Sequence, residues 1–396
     1  MRCILLLGSL LLATACTVET VKTNPAPEPT APEEPGEPDP NEPSNPTKPT
    51  NPDTPATPPT VKLDSAFTTI TDATNDLYSA APGPDGKTYA AFRKAGGAIG
   101  WGTGTILRRY LANGSLDTTF ATQGELTLTL VANPQALAVD AQGRILIGGT
   151  GLYDPDTTTD TGREIVVVRV TPAGIVDSSY SGGRTKLSFA PANVWTTALH
   201  VRADGGAFVA VYGRTSGKDS YGGFLIGDTG APVAGYGTNG FSSSPFPVDG
   251  ALTIDNDALV PTTGGLVRYG VDGTSKGAAI EDGVVMAKEI KDGFIAVTVT
   301  AEEKLVLSRF VTGASTKKDK TFTGPEVSES FAGFEILKDG SILYADGGSI
   351  SWISANGGKP TVVVKDAAAA KLATTTDGKL LVVTSGSNSK VQRYVF

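Results

Sequence analysis

The residue type that most often carries acid–base chemistry at neutral pH occurs once in this chain, as His200. A histidine metal centre or a serine–histidine–aspartate triad would have to use that residue. It lies in Ala198-Leu199-His200-Val201, a run that we predict to be an inner β-strand, and no nucleophile motif accompanies it. We therefore predict a structural role for His200 and no catalytic residues.

Aspartate clusters offer a second kind of chemistry, because carboxylate oxygens are ligands that calcium prefers. One cluster is Asp154-Pro155-Asp156 with Asp160, and another is Asp255-Asn256-Asp257. Neither has the D-x-[DN]-x-[DN]-G spacing of a calcium loop, and aspartates in a long connection are usually only hydrated. The sequence thus predicts no metal and no cofactor.

The first 15 residues form an export signal, with a positive charge, an apolar run from Cys3 to Leu12 and small residues after it. Leu-Ala-Thr-Ala directly before Cys16 resembles the lipobox of bacterial lipoproteins, whose cysteine receives the lipid. That family prefers leucine where this chain has Ala13, and an ordinary A-x-A cleavage site also fits, so plain secretion is the alternative. The resemblance implies a lipid-anchored protein of the bacterial cell envelope, at the outer membrane or cell surface, with Cys16 as the lipidated residue.

Residues 16–60 form a proline-rich tether that we predict to be disordered. Of the 26 prolines, 14 fall between Asn24 and Thr60, mixed with polar and acidic residues and almost nothing apolar. Such a segment cannot bury a core and samples extended polyproline II conformations. At about 3.1 Å per residue, some 40 residues reach on the order of 100 Å, enough to hold a domain away from a membrane.

The predicted folded part is nearly neutral. Residues 1–60 hold 3 of the 33 Lys and Arg and 8 of the 41 Asp and Glu, which leaves 30 against 33 for residues 61–396. A nucleic-acid partner would require a basic surface, so we expect none. Both cysteines, Cys3 and Cys16, precede the folded part, which therefore has no disulfide. We expect a monomer that meets a membrane through its N-terminal lipid only and binds an unidentified protein or glycan.

Residues 61–396 have the pattern of short strands and tight turns that recur along the chain. The run from Ile106 to Thr150 contains this pattern in full, with apolar strands on either side of a turn that ends at Gly143. Equivalent turns define seven units, at Asp85-Gly86, Gln142-Gly143, Asp204-Gly205, Thr263-Gly264, Asp292-Gly293, Asp339-Gly340 and Asp377-Gly378. Periods of roughly 40 to 60 residues with four strands each indicate blades. We predict an all-β fold, a seven-bladed β-propeller, with an antiparallel sandwich as the alternative.

The repeated unit resembles the delta-60 repeat of bacterial β-propellers. NGSLDTTF at 113–120 and AVDAQGRILIGG at 138–149 carry the resemblance. Three copies of one signature are Leu63 to Phe67, Leu116 to Phe120 and Val176 to Tyr180, and Pro232 to Tyr236 is a faded fourth; after about residue 240 only the turns persist. The resemblance implies a propeller on a lipoprotein, and it implies no activity.

A ligand site is predicted on one face of the propeller, where the first three units have long connections between their second and third strands. These connections are 93–105, 149–164 and 213–223, and equivalent loops of a propeller emerge on the same face. Their aromatic and polar side chains suit recognition of a sugar or a protein. The predicted ligand-binding residues are Trp101, Tyr153, Asp154, Asp156, Asp160, Lys218, Asp219 and Tyr221.

These features favour a non-catalytic binding or scaffold protein over an enzyme. The alternative is a calcium-assisted hydrolase, a lactonase-like propeller that collects its metal from carboxylate and amide groups on several inner strands. A central channel that gathers carboxylates would favour the hydrolase.

The two ends of the folded part match the two halves of one hairpin. Within the chain, Arg109-Tyr110-Leu111 leads through a tight turn into the signature at Leu116 to Phe120. The last residues, Gln392 to Phe396, match the first half, and Leu63 to Phe67 match the second. We predict that residues 63–71 form the outer strand of the last blade beside residues 390–396, with Tyr394 and Phe396 buried, and that this pairing closes the ring.

Overall fold

A computed structural model of the protein describes residues 57–95, 103–151, 164–190, 193–244, 251–252, 257–262, 265–280, 283–312, 316–328, 330–367, 371–384 and 389–396. Within these ranges every regular element is a β-strand, apart from one 3-10 turn at Ser181–Gly183. The leader, Cys16 and most of the tether lie outside the described residues.

The strands form seven antiparallel sheets, which are the blades of a β-propeller and confirm the predicted fold. β1 (Lys62–Leu63) precedes the first blade. Blade 1 contains β2 (Asp76–Pro82), β3 (Thr88–Arg93), β4 (Thr105–Tyr110) and β5 (Glu125–Leu128), and blade 2 contains β6 (Asn133–Val139), β7 (Ile145–Thr150), β8 (Ile165–Val170) and β9 (Thr185–Leu187). Blade 3 contains β10 (Asn193–Val201), β11 (Ala207–Thr215), β12 (Lys218–Ile226) and β13 (Phe241–Ser244), and blade 4 contains β14 (Ala251–Leu252), β15 (Ala258–Thr262), β16 (Gly265–Tyr269) and β17 (Ser275–Ile280).

The remaining three blades complete the ring. Blade 5 contains β18 (Val284–Ile290), β19 (Gly293–Val299), β20 (Leu305–Val311), β21 (Lys317–Lys318) and β22 (Glu326–Val327). Blade 6 contains β23 (Gly333–Ile336), β24 (Ile342–Asp346), β25 (Ser349–Ser354) and β26 (Gly357–Val364). Blade 7 contains β27 (Lys371–Thr374), β28 (Leu380–Thr384) and β29 (Lys390–Val395), with β1 as its outer strand.

Glycines in a left-handed conformation close most turns between first and second strands. A tight hairpin needs positive φ, which glycine adopts without a Cβ clash. Five of the predicted turn glycines have φ between 75° and 91°: Gly86, Gly143, Gly205, Gly340 and Gly378. Thr263 and Gly264 lie outside the described residues, but the strands on either side of them, β15 and β16, are the second and third strands of blade 4, so this turn was assigned to the wrong connection.

Seven hydrophobic clusters hold the blades together, one between each pair of neighbours. Middle strands lie between two adjacent blades, so both of their faces are covered, and every residue of β7 and β8 is buried. This position explains their continuous apolar sequences. The cluster between blades 7 and 1 joins Leu381 and Val383 to Leu77 and Phe92, so the ring closes on a core like the others.

A repeated arginine–aspartate contact, which we call the staple, gives the signature its physical meaning. In blade 1, Arg109 Nε donates to Asp117 Oδ2 at 2.9 Å, and Arg109 NH1 donates to the Pro172 carbonyl of blade 2 at 2.8 Å. The same guanidinium lies 4.8 Å from the centre of the Phe120 ring. Blade 2 repeats these contacts with Arg169, Asp177 and Tyr180. Each of these staples therefore ties the segment that leads into the outer strand to the third strand of its blade, and bonds to the next blade.

The ends of the chain form a third staple, and this confirms the predicted closure. Leu63 pairs with Tyr394, and Arg393 Nε donates to Asp64 Oδ2 at 2.8 Å. The chain then leaves the strand and pairs again where Ile70 and Val391 exchange two hydrogen bonds at 3.0 Å. Burial of Tyr394 and Phe396 was predicted wrongly, because Tyr394 is only half-buried and Phe396, which follows β29, is 43% exposed.

Candidate functional site on blade 3

The third long connection of the predicted ligand face is a strand hairpin. β11 and β12 remain paired from Ala207↔Ile226 to Thr215↔Lys218, so residues 213–223, predicted as a loop, are mostly strand. Ser216 and Gly217 close the hairpin with φ of 50° and 79°. The prediction was wrong because the pairing of β11 with β12 continues almost to the tip of this connection. Gly223 is explained by packing, since a Cβ there would lie 2.2 Å from the Phe208 ring.

Three aromatic side chains form a row across blade 3, which we call the aromatic ladder. Trp195 on β10 pairs with Tyr212 on β11, and Tyr212 pairs with Tyr221 on β12, so all three point to one face of the sheet. The ring centres of Trp195 and Tyr212 are 5.1 Å apart, those of Tyr212 and Tyr221 are 5.3 Å apart, and both pairs are stacked. All three side chains are half-buried, so the ladder presents part of its ring surface to solvent.

Charged groups lie beside the ladder at the tip of the hairpin. The Tyr212 hydroxyl donates to Asp219 Oδ1 at 2.8 Å, and Arg214 Nε lies 3.3 Å from the same oxygen. Lys218, Asp219 and Arg214 are exposed. These contacts orient the Asp219 carboxylate and the Arg214 guanidinium, two planar groups that can each bond to two partners.

The phenols of the ladder stay protonated at neutral pH. Burial raises the pKa of Tyr212, and its hydrogen bond to the Asp219 carboxylate raises that pKa further. Burial and then the negative charge of Asp219 raise the pKa of Tyr221. Both hydroxyl groups are therefore neutral and able to donate as well as accept hydrogen bonds.

A small cavity adjoins the same hairpin. It measures 320 Å³ and is lined mainly by apolar surface, with Phe189 and Phe241 beside the hydroxyls of Thr215, Ser220 and Ser243; Tyr221 contributes to its wall. Phe189 and Phe241 lie 5.3 Å apart between ring centres. The hairpin thus has the aromatic ladder on one face and an apolar recess near the other.

Of the predicted ligand-binding residues, the structure brings Lys218, Asp219 and Tyr221 together. The other five, Trp101, Tyr153, Asp154, Asp156 and Asp160, lie outside the described residues. Their connections follow β3 and β7, the second strands of blades 1 and 2, as does the tip of the β11–β12 hairpin in blade 3. That the three connections form one ligand-binding face stays a prediction, because residues 96–102 and 152–163 lie outside the described residues.

Sequence reasoning missed Trp195 and Tyr212, which form most of the ladder. They are separated by 17 positions, and only the register of β10 against β11 places them side by side. A usable signal was present: Phe208, Ala210 and Tyr212 alternate along β11, and aligning that alternation with Tyr221 would have placed Tyr212 and Tyr221 in one row.

The central channel is lined mostly by small apolar side chains. In its wall, Lys288 Nζ donates to Glu335 Oε1 at 2.7 Å, and the Thr374 hydroxyl donates to Glu335 Oε2 at 2.8 Å. Glu289 lies 3.8 Å from Arg268, and His200 also lines the channel. Among the residues that the structure describes, no three His, Cys, Asp or Glu side chains are grouped as metal ligands would be.

The one described member of the second aspartate cluster is bound by cations of the protein itself. Asp257 is 2% exposed and accepts hydrogen bonds from Arg268 at 2.5 Å and from Lys276 at 2.8 Å. Burial alone would raise the pKa of Asp257, but the hydrogen bonds from Lys276 and Arg268 hold it below its usual range. Its ion pairs give Asp257 a structural role in blade 4. Asp255 and Asn256 lie outside the described residues.

No protein-family model matches the chain, and no curated protein matches it. Solved structures similar to it include a gluconolactonase from Xanthomonas campestris (12% identity, TM-score 0.39, covering 85% of this chain and 98% of that one). An alpha-L-arabinofuranosidase from Fusarium graminearum has 12% identity and a TM-score of 0.45, covering 81% and 93% of the two chains. The Aleuria aurantia lectin has 9% identity and a TM-score of 0.40, covering 82% and 93%. At this level of similarity no substrate or activity is transferred to this chain.

No helix in the described part of the chain has the length and hydrophobicity to span a bilayer.

Proposed function

We propose that this protein is a bacterial cell-envelope lipoprotein whose propeller is a non-catalytic binding module, and that the aromatic ladder with Arg214 and Asp219 binds a glycan. The observation that carries the proposal is the ladder itself: three half-buried aromatic rings in one row, beside oriented charged groups at the tip of the β11–β12 hairpin.

The chemistry of the ladder matches that of a sugar. A pyranose ring has a face of C–H groups and a rim of hydroxyl groups, so it packs on aromatic rings while it exchanges hydrogen bonds at its edge. Stacking covers both faces of the Tyr212 ring, and all three rings are half-buried, so part of the ring surface of the ladder remains for a ligand. The Asp219 carboxylate can accept from two adjacent hydroxyls, and the Arg214 guanidinium can donate to two.

The ladder is also rigid before a ligand arrives. Trp195, Tyr212 and Tyr221 belong to paired strands, and the Asp219 bond holds the Tyr212 hydroxyl. Aromatic side chains lose little conformational entropy on binding, and a rigid site loses less than a mobile one. A protein partner would also use aromatic anchors, but the pairing of aromatic surface with planar hydrogen-bonding groups favours a glycan.

The leader and tether support the location that we propose. A lipid on Cys16 would hold the protein at the outer membrane or cell surface, and the tether of residues 16–60 would carry the propeller away from the bilayer. We expect the connections that contain Trp101 and Tyr153 to lie on the same face, where these aromatic groups would extend the contact surface of a larger glycan.

A glycan-binding screen of the mature protein tests the proposal. We expect the parent to bind a defined set of glycans, and the Trp195→Ala, Tyr221→Ala double variant to bind them at least tenfold more weakly. A Trp101→Ala, Tyr153→Ala variant measures the contribution of the neighbouring connections. If the parent binds no glycan, or the ladder variant binds as tightly as the parent, the proposal is wrong; a protein captured through the ladder would replace the glycan.

A further inference from the structure

The central channel contains a cavity that is separate from the aromatic ladder. Its volume is 560 Å³, within the range of small-molecule sites, and the first strands of six blades line it. Over blades 1 to 3 the wall includes the polar residues Ser79, Thr197 and His200 and five alanines: Ala80, Ala81, Ala136, Ala138 and Ala198. Phe334, Met286 and Leu372 extend the apolar lining on the other side.

The charges of the channel are distributed unequally along its axis. At one end, beside the turns between first and second strands, Lys288, Glu335 and Thr374 bond to one another. Glu289, at the same end, faces Arg268. This end needs no charge from a ligand, because each carboxylate there has a cationic neighbour.

The other end of the channel has a lysine without such a neighbour. Lys371 begins β27 and pairs with Val383 at the end of β28, so it lies toward the face of the long connections. Its ammonium group reaches the Thr197 carbonyl of blade 3, nearly opposite in the ring, but at 3.5 Å. Among the described residues no carboxylate forms an ion pair with Lys371, although the residue lines the cavity. Lys371 is exposed to solvent, so its ammonium group is accessible to a ligand that enters the channel from this end.

We propose that the channel binds a small amphipathic carboxylic acid, with its carboxylate on Lys371 and its apolar chain between the alanines. Lys371 and Thr374 are three residues apart on one strand, so the apolar section between the two ends is about 10 Å deep. That depth suits an alkyl chain of medium length. A carboxylate can form an ion pair with Lys371 that a neutral ligand cannot form, and a cation would be repelled by Lys371.

Calorimetric titration of the mature protein at pH 8 with octanoate tests this site. At pH 8 the carboxyl group of octanoate is ionised. We expect saturable one-to-one binding of octanoate, with octanol and octylammonium each at least tenfold weaker. The Lys371→Met variant should bind octanoate at least tenfold more weakly, and Lys371→Arg should retain binding.

Two further variants complete the test. Lys359→Met, an exposed lysine on the outer strand of blade 6, should bind octanoate like the parent. Ala138→Phe should block octanoate while Lys371 is intact, with melting curves used to confirm that each variant folds. The proposal is overturned if octanoate does not saturate, if octanol binds as tightly as octanoate, or if Lys371→Met leaves the affinity unchanged. Loss of glycan binding by the ladder would leave this result unaffected.

Discussion

Arg393 joins the two ends of the folded part through a side-chain contact, where other blades have a continuous backbone between their third and outer strands. Its staple to Asp64 spans 329 positions of sequence, whereas the staples of blades 1 and 2 span eight. All three bring an arginine over an aromatic ring and donate to a carbonyl of the next blade. The closing blade therefore has the same side-chain contacts as blades whose outer strand continues directly from the third.

The signature was recognisable in the sequence where the arginine and the aspartate of a staple are eight positions apart. Where the pair is replaced, only a faded copy was recognised, and a copy with a wider spacing was not recognised. In blade 3, Leu225 and Val233 replace the charged pair, although Val233 N still donates to the Leu225 carbonyl at 2.8 Å. Blade 5 has a copy that the sequence reasoning missed, because Arg309 and Asp319 are ten positions apart. There the aspartate lies 3.9 Å from the arginine, while Asp319 N keeps the backbone bond to Arg309.

Replacing Asp64 with alanine should weaken the closure. The Arg393 side chain is 6% exposed, so the variant leaves a buried guanidinium without its carboxylate, and we expect the free energy of unfolding to fall by on the order of 3 kcal/mol. Chemical denaturation measures this change. As a control, Glu326→Ala removes an ion pair between two exposed side chains, Lys304 and Glu326, and should leave stability unchanged. If the two substitutions lower the free energy of unfolding equally, the staple stabilises the fold no more than an exposed ion pair does.

At the scale of strands and turns, the sequence pattern predicted those elements that are determined by neighbouring residues. Asp-Gly turns and alternating strands gave the blades because a hairpin is specified within a few residues. The turn at Thr263-Gly264 was assigned to the wrong connection, because a turn glycine alone does not distinguish the connection between the first and second strands from the one between the second and third. The aromatic ladder could not be read directly, because it depends on the register of three strands whose residues are far apart in sequence.

Removal of residues 390–396 should destabilise the propeller strongly. β29 pairs with β28 on one side and with β1 on the other, and Val391 belongs to the core between blades 7 and 1. We expect a loss of several kcal/mol, measured by thermal and chemical denaturation, because two strands lose their partner and buried apolar groups are deleted. Deletion of Phe396 alone is the matched control and should change little, since that residue is exposed. A seven-residue deletion that melts within a degree or two of the parent contradicts this account of closure.

At the scale of the whole molecule, a ring with seven similar interfaces needs no disulfide and presents one face of loops. The sequence predicts this architecture but leaves the ligand open, because a propeller is a scaffold whose function depends on surface side chains. The lipid anchor and the tether remain predictions from residues 1–60. They determine where the binding face would operate.

Cys16→Ser tests the anchor directly. If Cys16 carries the lipid, the parent should fractionate with membranes, and the serine variant should appear in the soluble fraction because the acylated residue is lost. Mass spectrometry of the mature N-terminus provides an independent measurement. A parent protein that is already soluble and carries no lipid would favour secretion instead.

The most direct measurement of the glycan proposal is a fluorescence titration of Trp195. The chain has three tryptophans, so Trp101→Phe and Trp352→Phe together leave Trp195 as the only indole. With a glycan identified in the screen, we predict a saturable change in Trp195 emission whose dissociation constant equals that from calorimetry. Calorimetric binding of that glycan with no change in Trp195 emission would contradict the account, because it would place the ligand away from the aromatic ladder.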